Sequence, residues 1–383
     1  MPGFELLGNE EKTEINNIID NGFVLFRHGF PDQRNDIYKT AEFEAAFSKK
    51  LGVKYATGVT SGTSALRVAL AALDIKDGDE VITQSFTFVA TVEAILESKA
   101  TPVIAAIDDT LNMDPEDLER KISPKTKAII LVHMLGTPGY LDKIKAIADK
   151  HGVPLMEDTA WGLGGSYQEK PLGTHGTLGT FSFDYAKAMT TGEGGMVITN
   201  DPTLHKKASA FQDHGHENVP DVPRCDDNCL GAGFNFRMNE LQGAIGLAQL
   251  KKLTSIIEKQ REHALLIWEQ LKDIPGLSKR LAPESAYETY DSLIVRMETP
   301  EIASKCKRVL TEEGFPTKIL PEAVFWHFAG EWKHLLSEEE FTKNNGFQTC
   351  REKLSCCISI PIVLNMDSAF PKNISTAFRK ALS

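Results

Sequence analysis

Short apolar segments alternate with helical patterns between about residue 50 and residue 200, and this alternation limits the fold more than any other feature of the chain. The segments that read as strands are residues 81–83, 102–106, 128–132 and 154–158. Helical patterns separate them, at residues 66–73, from Asp114 onward and at 141–150. Strands joined through helices are parallel neighbours linked by crossovers. The pattern therefore predicts an α/β fold with a mostly parallel central sheet flanked by helices.

A second pattern begins near residue 240. Residues 240–268 form a long helical stretch without proline, and strand-like segments at 292–297 and 357–360 follow it, with helical segments at 301–313 and near the C-terminus. A length of 383 residues suits two domains of unequal size. We expect a large domain at residues 1–250 and a smaller α+β domain at residues 251–383.

Charge and hydropathy exclude two kinds of partner. The chain has 53 acidic and 42 basic residues and a net charge of −11, without the basic stripe that nucleic-acid binding requires. No apolar run reaches the roughly 20 residues of a membrane-spanning helix. We therefore expect neither nucleic acid nor a membrane to be a partner.

The N-terminus and the cysteines indicate a cytoplasmic location. The first residues lack the basic and apolar regions of a secretory signal, and six cysteines in 383 residues are too few for a disulfide scaffold. Cys225 and Cys229 have no second pair or histidine partner at zinc-finger spacing, so no metal site is expected. Residues 218–228, rich in proline and aspartate, read as a mobile loop.

Lys187 is the strongest candidate for a chemical role. It lies in residues 182–195, between a strand end and a glycine-rich turn, and its neighbours are small or apolar. Most lysines are solvated surface charges. A lysine that is shielded from water has a lowered pKa and can form a Schiff base with a carbonyl compound.

Other segments carry residues suited to one phosphorylated ring. Asp158 ends a predicted parallel strand, where ligands bind in α/β sheets, and its carboxylate can pair with a pyridinium nitrogen. Ser61, Gly62 and Thr63 open a helix and can bind phosphate, although a plain helix cap is the commoner explanation of such a segment. Ser182 offers another hydroxyl. Phe88 can stack on a ring, although a lone phenylalanine is more often core.

Together these elements resemble the pyridoxal-phosphate aminotransferases of fold type I, and in particular the DegT/StrS-type sugar aminotransferases. The matching segments are residues 60–66, 86–91, 157–160, 182–195, 214–215 and 233–238. Their order and spacing cover about residues 50–250. The resemblance implies a fold type I transferase with pyridoxal 5'-phosphate as its cofactor.

The resemblance also assigns roles to residues of this chain. It implies that Lys187 binds the cofactor covalently and then moves the substrate proton, that Asp158 pairs with the ring nitrogen, and that Phe88 stacks on the ring. Ser61, Gly62, Thr63 and Ser182 would hold the phosphate. Asn235 matches a residue that reaches the phosphate from the neighbouring subunit, so a homodimer with shared active sites is implied.

One position departs from the family pattern. The family usually has glutamine or histidine three residues after the ring-pairing aspartate, where this chain has Trp161. The indole N–H can donate a hydrogen bond to the cofactor but cannot reproduce the geometry of an amide. The lysine at position 187 favours transamination, because a dehydrating branch of the family has histidine there.

The substrate is predicted from a finer resemblance. Residues 1–6, 34–36, 182–184 and 213–216 resemble a branch that uses L-glutamate to aminate carbon 8 of a 3-deoxy-octulosonate, giving 8-amino-3,8-dideoxy-octulosonate for lipopolysaccharide. Side chains that suit an acidic keto- or aldehydo-sugar are Arg27, Arg34, His214 and His216, with Trp326 near the site rim. These residues could equally be loop positions of a nucleotide-linked 3- or 4-keto-sugar aminotransferase.

Three further alternatives remain at this point. The same cofactor could serve dehydration or epimerisation, and Trp161 would suit a cofactor-binding regulatory protein with impaired catalysis. The alternation of strands and helices alone would also suit a nicotinamide-dependent enzyme. That last alternative is weak, because no Gly-x-Gly-x-x-Gly motif follows a first strand.

Overall fold

The structure is a computed structural model that describes residues 2–219 and 222–383. The strands are β1 (Tyr55–Val59), β2 (Glu80–Gln84), β3 (Thr101–Ala105), β4 (Thr126–Val132), β5 (Leu155–Asp158), β6 (Ser166–Tyr167), β7 (Lys170–Pro171), β8 (Leu178–Ser182), β9 (Gly195–Thr199), β10 (Ser278–Lys279), β11 (Ala286–Tyr287), β12 (Ser292–Arg296), β13 (Lys318–Ile319) and β14 (Cys357–Pro361). The helices are α1 (Pro2–Glu5), α2 (Asn9–Asp20), α3 (Pro31–Arg34), α4 (Lys39–Leu51), α5 (Gly62–Ala72), α6 (Ala90–Glu97), α7 (Pro115–Lys121), α8 (Leu141–His151), α9 (Pro202–Phe211), α10 (Glu240–Leu271), α11 (Pro300–Glu312), α12 (Val324–His327), α13 (Glu338–Lys343), α14 (Gln348–Ser355) and α15 (Phe370–Leu382).

The central sheet has seven strands in the order β1-β9-β8-β5-β4-β2-β3. Strands β8, β5, β4, β2 and β3 run parallel to one another, whereas β9 runs antiparallel to both of its neighbours. Helices α6, α7 and α8 are the crossovers between successive parallel strands. The prediction of a mostly parallel central sheet flanked by helices is confirmed.

Strand β4 shows why the sheet is covered on both faces. Alternate side chains of a strand point to opposite faces. Ala128, Ile130 and Val132 join a cluster with apolar residues of α5 and α6, whereas Ile129 and Leu131 join a second cluster with residues of α7 and α8. A continuous apolar strand is therefore needed here, because neither face meets water.

The C-terminal part contains an antiparallel sheet in the order β10-β12-β14-β13. Its core includes Val295 of β12, Ile358 of β14 and Phe378 of α15, together with Ile267 and Leu271 from the end of α10. Because α10 continues without a break from Glu240 to Leu271, the predicted boundary at residue 250 lies within a helix. The division into residues 1–250 and 251–383 stays a prediction.

Several smaller expectations concern individual segments. The six cysteines are free thiols, and Cys225 and Cys229 are exposed. The predicted mobile loop at residues 218–228 includes Pro220 and Asp221, which lie outside the described residues. In the described part of the chain, no helix has the length and apolar character needed to span a bilayer. Over the same residues there is no group of three or more histidine, cysteine, aspartate or glutamate side chains that could hold a metal ion.

Candidate active site

The candidate site is built at the carboxyl ends of three parallel strands. Val132 of β4 pairs in register with Asp158 of β5, and Asp158 pairs with Thr180 of β8. All three residues line one cleft of about 320 Å³. Ligands of open α/β sheets bind outside the carboxyl ends of the strands, so the topology alone directs Asp158 toward a ligand.

Asp158 is a buried carboxylate with few partners. Among the described residues, its oxygens accept hydrogen bonds from the Thr91 hydroxyl at 3.1 Å and from the Ala160 N–H at 3.1 Å. Burial raises the pKa of Asp158 above its ordinary value, and these hydrogen bonds together with the charge of Lys187 act against that rise. Such a carboxylate is suited to a cationic N–H donor in the cleft.

A cradle for an anion lies at the N-terminus of α5. Ser61 caps this helix by accepting a hydrogen bond from the Ser64 N–H at 3.0 Å. The N–H groups of Gly62 and Thr63, in the first turn, have no acceptor among the described residues. Free N–H groups and the helix dipole together favour a bound anion.

Backbone register brings Ser182 to the same cradle. Gly195 of β9 pairs with both Val59 of β1 and Ser182 of β8, so the residues that follow β1 lie beside the end of β8. A Cβ atom at Gly62 would come within 2.7 Å of the Ser182 Cβ and 3.0 Å of its Oγ. Only glycine leaves room at position 62 for the Ser182 hydroxyl.

Lys187 lies on the loop of residues 183–194 that joins β8 to β9. The neck of this loop is closed by the Phe183 N–H, which donates to the Gly194 carbonyl at 2.8 Å. The Lys187 ammonium lies 3.3 Å from the centre of the Trp161 ring, a cation–π contact. Desolvation lowers the pKa of Lys187, and the carboxylates of Asp291, Asp184 and Asp158 oppose this lowering.

Aromatic side chains form the outer wall of the cleft. Phe88 is 39% exposed and its ring lies 6.2 Å from that of Trp326, nearly parallel to it. His327 lies between Phe88 and Trp161, with ring centres 5.4 Å and 6.4 Å away. Phe88, Trp161 and His327 all line the cleft. Trp326 is 56% exposed and packs on the outside of this wall.

The structure therefore brings most of the predicted cofactor residues together. The cleft is lined by Ser61, Gly62, Thr63, Phe88, Asp158, Trp161, Ser182 and Lys187. The sequence provided no basis for assigning a role to Thr91, His327 or Asp291. Thr91 is three residues after Phe88 and His327 directly follows Trp326, so both lie in segments that the sequence had singled out.

Glu157, next to Asp158, supports the site from the opposite face of β5. It accepts hydrogen bonds from the backbone N–H groups of Gly173, His175 and Gly176 at 2.6–2.8 Å, and from the His133 ring at 2.9 Å. Burial alone would raise the pKa of Glu157, but the hydrogen bond and charge of His133, the charge of His175 and the Gly176 N–H hold it below its ordinary value. Glu157 thus anchors the segment after β5 as a fixed charge.

The two arginines that were predicted to meet the substrate lie outside the cleft. The Arg34 guanidinium is 2% exposed and pairs with the buried Glu240 carboxylate at 2.9 Å. It also donates to the carbonyls of Ile37 and Phe26. Arg27 pairs with Glu44 at 2.7 Å and donates to the Gly58 carbonyl at 3.0 Å. Both guanidiniums are already engaged by groups of this chain.

Asn235 and the two predicted histidines lie together on another face of the molecule. Asn235 is exposed, lies outside the cleft and forms an antiparallel bridge with Asp213. The exposed His214 donates its backbone N–H to the Phe234 carbonyl at 3.1 Å, and the His216 ring lies 3.3 Å from the Asp227 carboxylate. Within one chain, none of these three residues lines the cleft.

Asp213 holds this Asn235-bearing segment in place. Its buried carboxylate accepts a two-pronged pair of hydrogen bonds from Arg224 and one from Arg237 at 2.7 Å. Burial alone would raise the pKa of Asp213, but the His28 ring, 3.3 Å away, and the hydrogen bonds from Arg224 and Arg237 hold it far below its usual range. The segment that presents Asn235 is therefore tied down by buried charge.

Comparisons with known proteins agree with this geometry. A model of the DegT/DnrJ/EryC1/StrS aminotransferase family matches residues 31–379. A GDP-perosamine synthase of Escherichia coli O157:H7 is 34% identical over 317 residues, which are 82% of this chain and 82% of that protein. A GDP-perosamine synthase of Vibrio cholerae is 38% identical over 269 residues, which are 70% of this chain and 69% of that protein.

Solved structures are similar over nearly the whole chain. The structure of 3-amino-5-hydroxybenzoic acid synthase has a TM-score of 0.85 at 27% identity, covering 98% of this chain and 97% of that chain. Helicobacter pylori PseC, an aminotransferase involved in pseudoaminic acid biosynthesis, has a TM-score of 0.83 at 28% identity, covering 98% of this chain and 96% of that chain.

The aminotransferases of this family depend on pyridoxal phosphate, and the cleft fits that cofactor. The free N–H groups at the start of α5 and the space that a side chain at Gly62 would fill suit the phosphate. The buried carboxylate of Asp158 suits a protonated ring nitrogen, and the shielded amine of Lys187 suits the aldehyde. From the family match and this fit we conclude that the chain belongs to the DegT/DnrJ/EryC1/StrS aminotransferase family and is a pyridoxal-phosphate-dependent sugar transaminase.

Proposed function

We propose that the protein transfers the amino group of L-glutamate to a nucleotide-linked keto-sugar. The observation that carries the proposal is the arrangement of Lys187, Asp158 and the α5 cradle around one cleft. The nucleotide-linked acceptor is supported by the two relatives, both named GDP-perosamine synthases and both at least 34% identical to this chain. L-Glutamate is the donor that the family resemblance implies.

The chain's own residues divide the work as follows in this proposal. Bound pyridoxal phosphate draws electrons from the substrate carbon that carries the nitrogen. The Asp158 carboxylate would accept a hydrogen bond from the ring N–H and so keep the ring nitrogen protonated. The phosphate would be bound by the N–H groups of Gly62 and Thr63 and by the hydroxyls of Ser61 and Ser182.

Lys187 moves the proton. Its pKa is lowered by desolvation, so its amine is more readily available as a base than an exposed lysine would be. Phe88 and Trp161 cover the ring position and keep water from the amine.

The octulosonate acceptor is the second candidate. It was favoured partly because Arg27 and Arg34 suit an acidic sugar, but both arginines are paired with carboxylates away from the cleft. The names of the relatives and these ion pairs therefore support the nucleotide-linked sugar more than the sugar acid.

We further propose that the active unit is a homodimer with shared sites. Exposed apolar side chains are frequent near the N-terminus and around Asn235, and such patches are typical of interfaces. These side chains are Phe4, Leu6, Leu7, Phe23, Leu25, Phe30, Leu230 and Phe234. Asn235 is exposed on this side, and family resemblance implies that it reaches the neighbour's phosphate.

Mixing Lys187→Ala and Asn235→Ala subunits tests the shared sites. Activity should be restored, because one site of each hybrid dimer has both native residues, and no recovery would contradict shared sites.

The proposed reaction is tested by running it in reverse. Holoenzyme is mixed separately with GDP-perosamine, 8-amino-3,8-dideoxy-octulosonate and L-glutamate, and the aldehyde form of the cofactor is followed by its long-wavelength absorbance. We expect GDP-perosamine and L-glutamate to convert the cofactor to its amine form. Conversion by the octulosonate but not by GDP-perosamine would overturn the proposed acceptor.

The role of Lys187 has its own test. Borohydride reduction should attach the cofactor covalently to the native protein and leave the Lys187→Ala variant unlabelled, as measured by intact mass. Labelling of that variant would contradict the assignment. An exposed control, Lys372→Ala, should be labelled as efficiently as the native protein.

A further inference from the structure

A second cavity opens beside the cofactor cleft. It has a volume of about 120 Å³ and shares three wall residues with the cleft, namely Trp161, Ala186 and His327. Its floor is apolar and includes Phe86, Leu320 and Ile362. These shared walls place the cavity next to the cleft that holds Lys187, and we call it the second compartment.

Asp291 brings a carboxylate to the second compartment. It directly precedes β12, and its backbone carbonyl accepts the Ile362 N–H at 3.3 Å, which fixes its position between two elements of the C-terminal part. Within residues 2–219 and 222–383, the only hydrogen bond to its carboxylate comes from the Ser292 hydroxyl at 3.4 Å. Asp291 therefore has several acceptor sites still to fill.

His327 supplies a second acceptor. Its Nδ1 lies 2.6 Å from the Glu322 carbonyl, and because a carbonyl can only accept, this nitrogen carries the proton. Burial lowers the pKa of His327, so the ring is neutral and Nε2 is left with a lone pair. Nε2 has no hydrogen-bond donor in the part of the chain that the structure describes.

The charges of the second compartment do not suit an anion. Lys318 is the single lysine or arginine among its described wall residues, and it is already paired with Glu322. With His327 neutral, Asp291 is the one carboxylate on the described wall of this cavity that is not in an ion pair. The positive charge that acts on it, the Lys187 ammonium, lies in the adjoining cofactor cleft. A carboxylate or phosphate placed here would face like charge, whereas hydroxyl groups could donate to Asp291 and to Nε2 of His327.

We propose that the second compartment binds the hydroxyl-bearing part of the sugar acceptor, with Asp291 as the specificity-determining residue. The anionic part of the acceptor then lies outside this cavity. This inference rests on the proposed function, since it assigns a place to the acceptor of that reaction. It also predicts that Asp291 treats the two substrates differently, because L-glutamate brings carboxylates, not hydroxyls, to the same site.

Binding without turnover tests this proposal. Holoenzyme with its cofactor in the amine form cannot react with another amine, so calorimetric titration with GDP-perosamine or with L-glutamate reports affinity alone. We expect Asp291→Asn to weaken GDP-perosamine binding about tenfold, because the amide has one acceptor oxygen in place of two and no charge to strengthen the hydrogen bond from a hydroxyl. Its affinity for L-glutamate should stay the same or increase, because an opposing charge is removed.

Controls separate this role from a general effect. Asp184→Asn removes another carboxylate whose charge acts on Lys187 but which does not line the second compartment, so it should not change the preference between the two ligands. Asp291→Ser is a second variant without the charge and should behave like Asp291→Asn. Thermal unfolding of each variant checks that the fold is retained.

The outcomes are distinguishable. An equal loss of affinity for both ligands, no loss for either, or the same shift in preference from Asp184→Asn would overturn the role of Asp291. If GDP-perosamine does not react but 8-amino-3,8-dideoxy-octulosonate does, the proposed acceptor fails, and the same titration with the octulosonate decides the role of Asp291. If neither amino sugar binds, both proposals are overturned.

Discussion

The Arg34–Glu240 ion pair gives the sharpest test of how this chain uses its basic residues. Arg34 is 2% exposed and Glu240 is fully buried, with 2.9 Å between Nη2 and Oε2. Replacing Arg34 by methionine fills much of the volume but leaves the Glu240 carboxylate buried without its cation. Breaking a buried ion pair on one side typically costs about 3–5 kcal/mol. We expect Arg34→Met to lower the free energy of unfolding by that amount.

A second substitution, at Glu240, should restore part of the stability. Glu240 also accepts the Lys39 N–H at 2.5 Å, so the pair should not be replaced by two apolar residues. In Arg34→Met/Glu240→Gln the amide keeps an acceptor for that N–H and removes the stranded charge. We expect the double variant to recover part of the loss, because the stranded charge is gone but the carbonyls of Ile37 and Phe26 still lack the donors that Arg34 supplied. Arg308→Met, an exposed arginine on α11, is the matched control and should change stability by no more than about 0.5 kcal/mol.

The loss of folding stability in Arg34→Met should grow as the pH rises. Burial already raises the pKa of Glu240, and Arg34 opposes that rise, so the variant has a still higher pKa in the folded state. A group whose folded pKa is raised contributes its full stabilisation below the unfolded pKa and loses it as the pH rises through the folded pKa. The destabilisation by Arg34→Met should therefore be small in acid and grow toward neutral pH.

Urea unfolding at fixed protein concentration and fixed cofactor occupancy measures these differences, since both affect apparent stability. A loss under about 1 kcal/mol at neutral pH, together with a raised KM for the sugar acceptor, would refute the reasoning. Arg34 would then be a substrate residue, and its pairing with Glu240 would not be what holds it in place.

Three further changes test the cleft. Asp158→Asn should reduce turnover by about 100-fold, because it removes the charge partner of the ring nitrogen. Calorimetry should show a much smaller loss of cofactor affinity. Unchanged turnover would contradict the role of Asp158. Gly62→Ala should weaken cofactor binding at least about tenfold, because the new Cβ would lie 2.7 Å from the Ser182 Cβ. In the control variant Gly8→Ala the nearest atom to the new Cβ would be 3.5 Å away, so this variant should bind the cofactor normally. Trp161→Ala should raise the pKa of Lys187 toward its ordinary value by admitting water, and the pH dependence of the rate of cofactor reconstitution should shift upward; an unchanged profile would show that the indole does not shield the amine.

The sequence allowed the central fold to be predicted because its signals are local. Strand β4 is covered on both faces, which demands the unbroken apolar run that was visible in the chain. Asp158 and Lys187 could be proposed as site residues for the same reason, because one ends a predicted strand and the other follows a strand end. Helix α10 was expected at residues 240–268 and ends at Leu271. Segments without a strong pattern, such as β1 at Tyr55–Val59, were not identified.

Residues that act through distant partners could not be interpreted from the sequence. An arginine has the same sequence signal whether its side chain meets water, a ligand or a buried carboxylate, so nothing near Arg34 at the end of α3 pointed to Glu240 on α10. Lys187 is on a loop of the central sheet and Asp291 directly precedes β12 of the C-terminal sheet, and the packing of the C-terminal part brings their charges within range of each other. The role of Asn235 is harder still to predict, because its proposed partner is on another copy of the chain.

Because the ends of the Lys187 loop are paired with each other, its length should affect the free energy of folding only weakly but the position of the Lys187 amine strongly. Residues 183–194 leave the sheet at Ser182 and return at Gly195, which is paired directly opposite. Closure entropy grows slowly with length, by only about 0.6 kcal/mol for each doubling of a loop. One inserted residue would thus cost little stability, yet it adds up to about 3.5 Å of chain, more than a hydrogen bond tolerates. Insertions between Phe183 and Lys187 should therefore yield folded, cofactor-competent proteins whose amine no longer reaches its target.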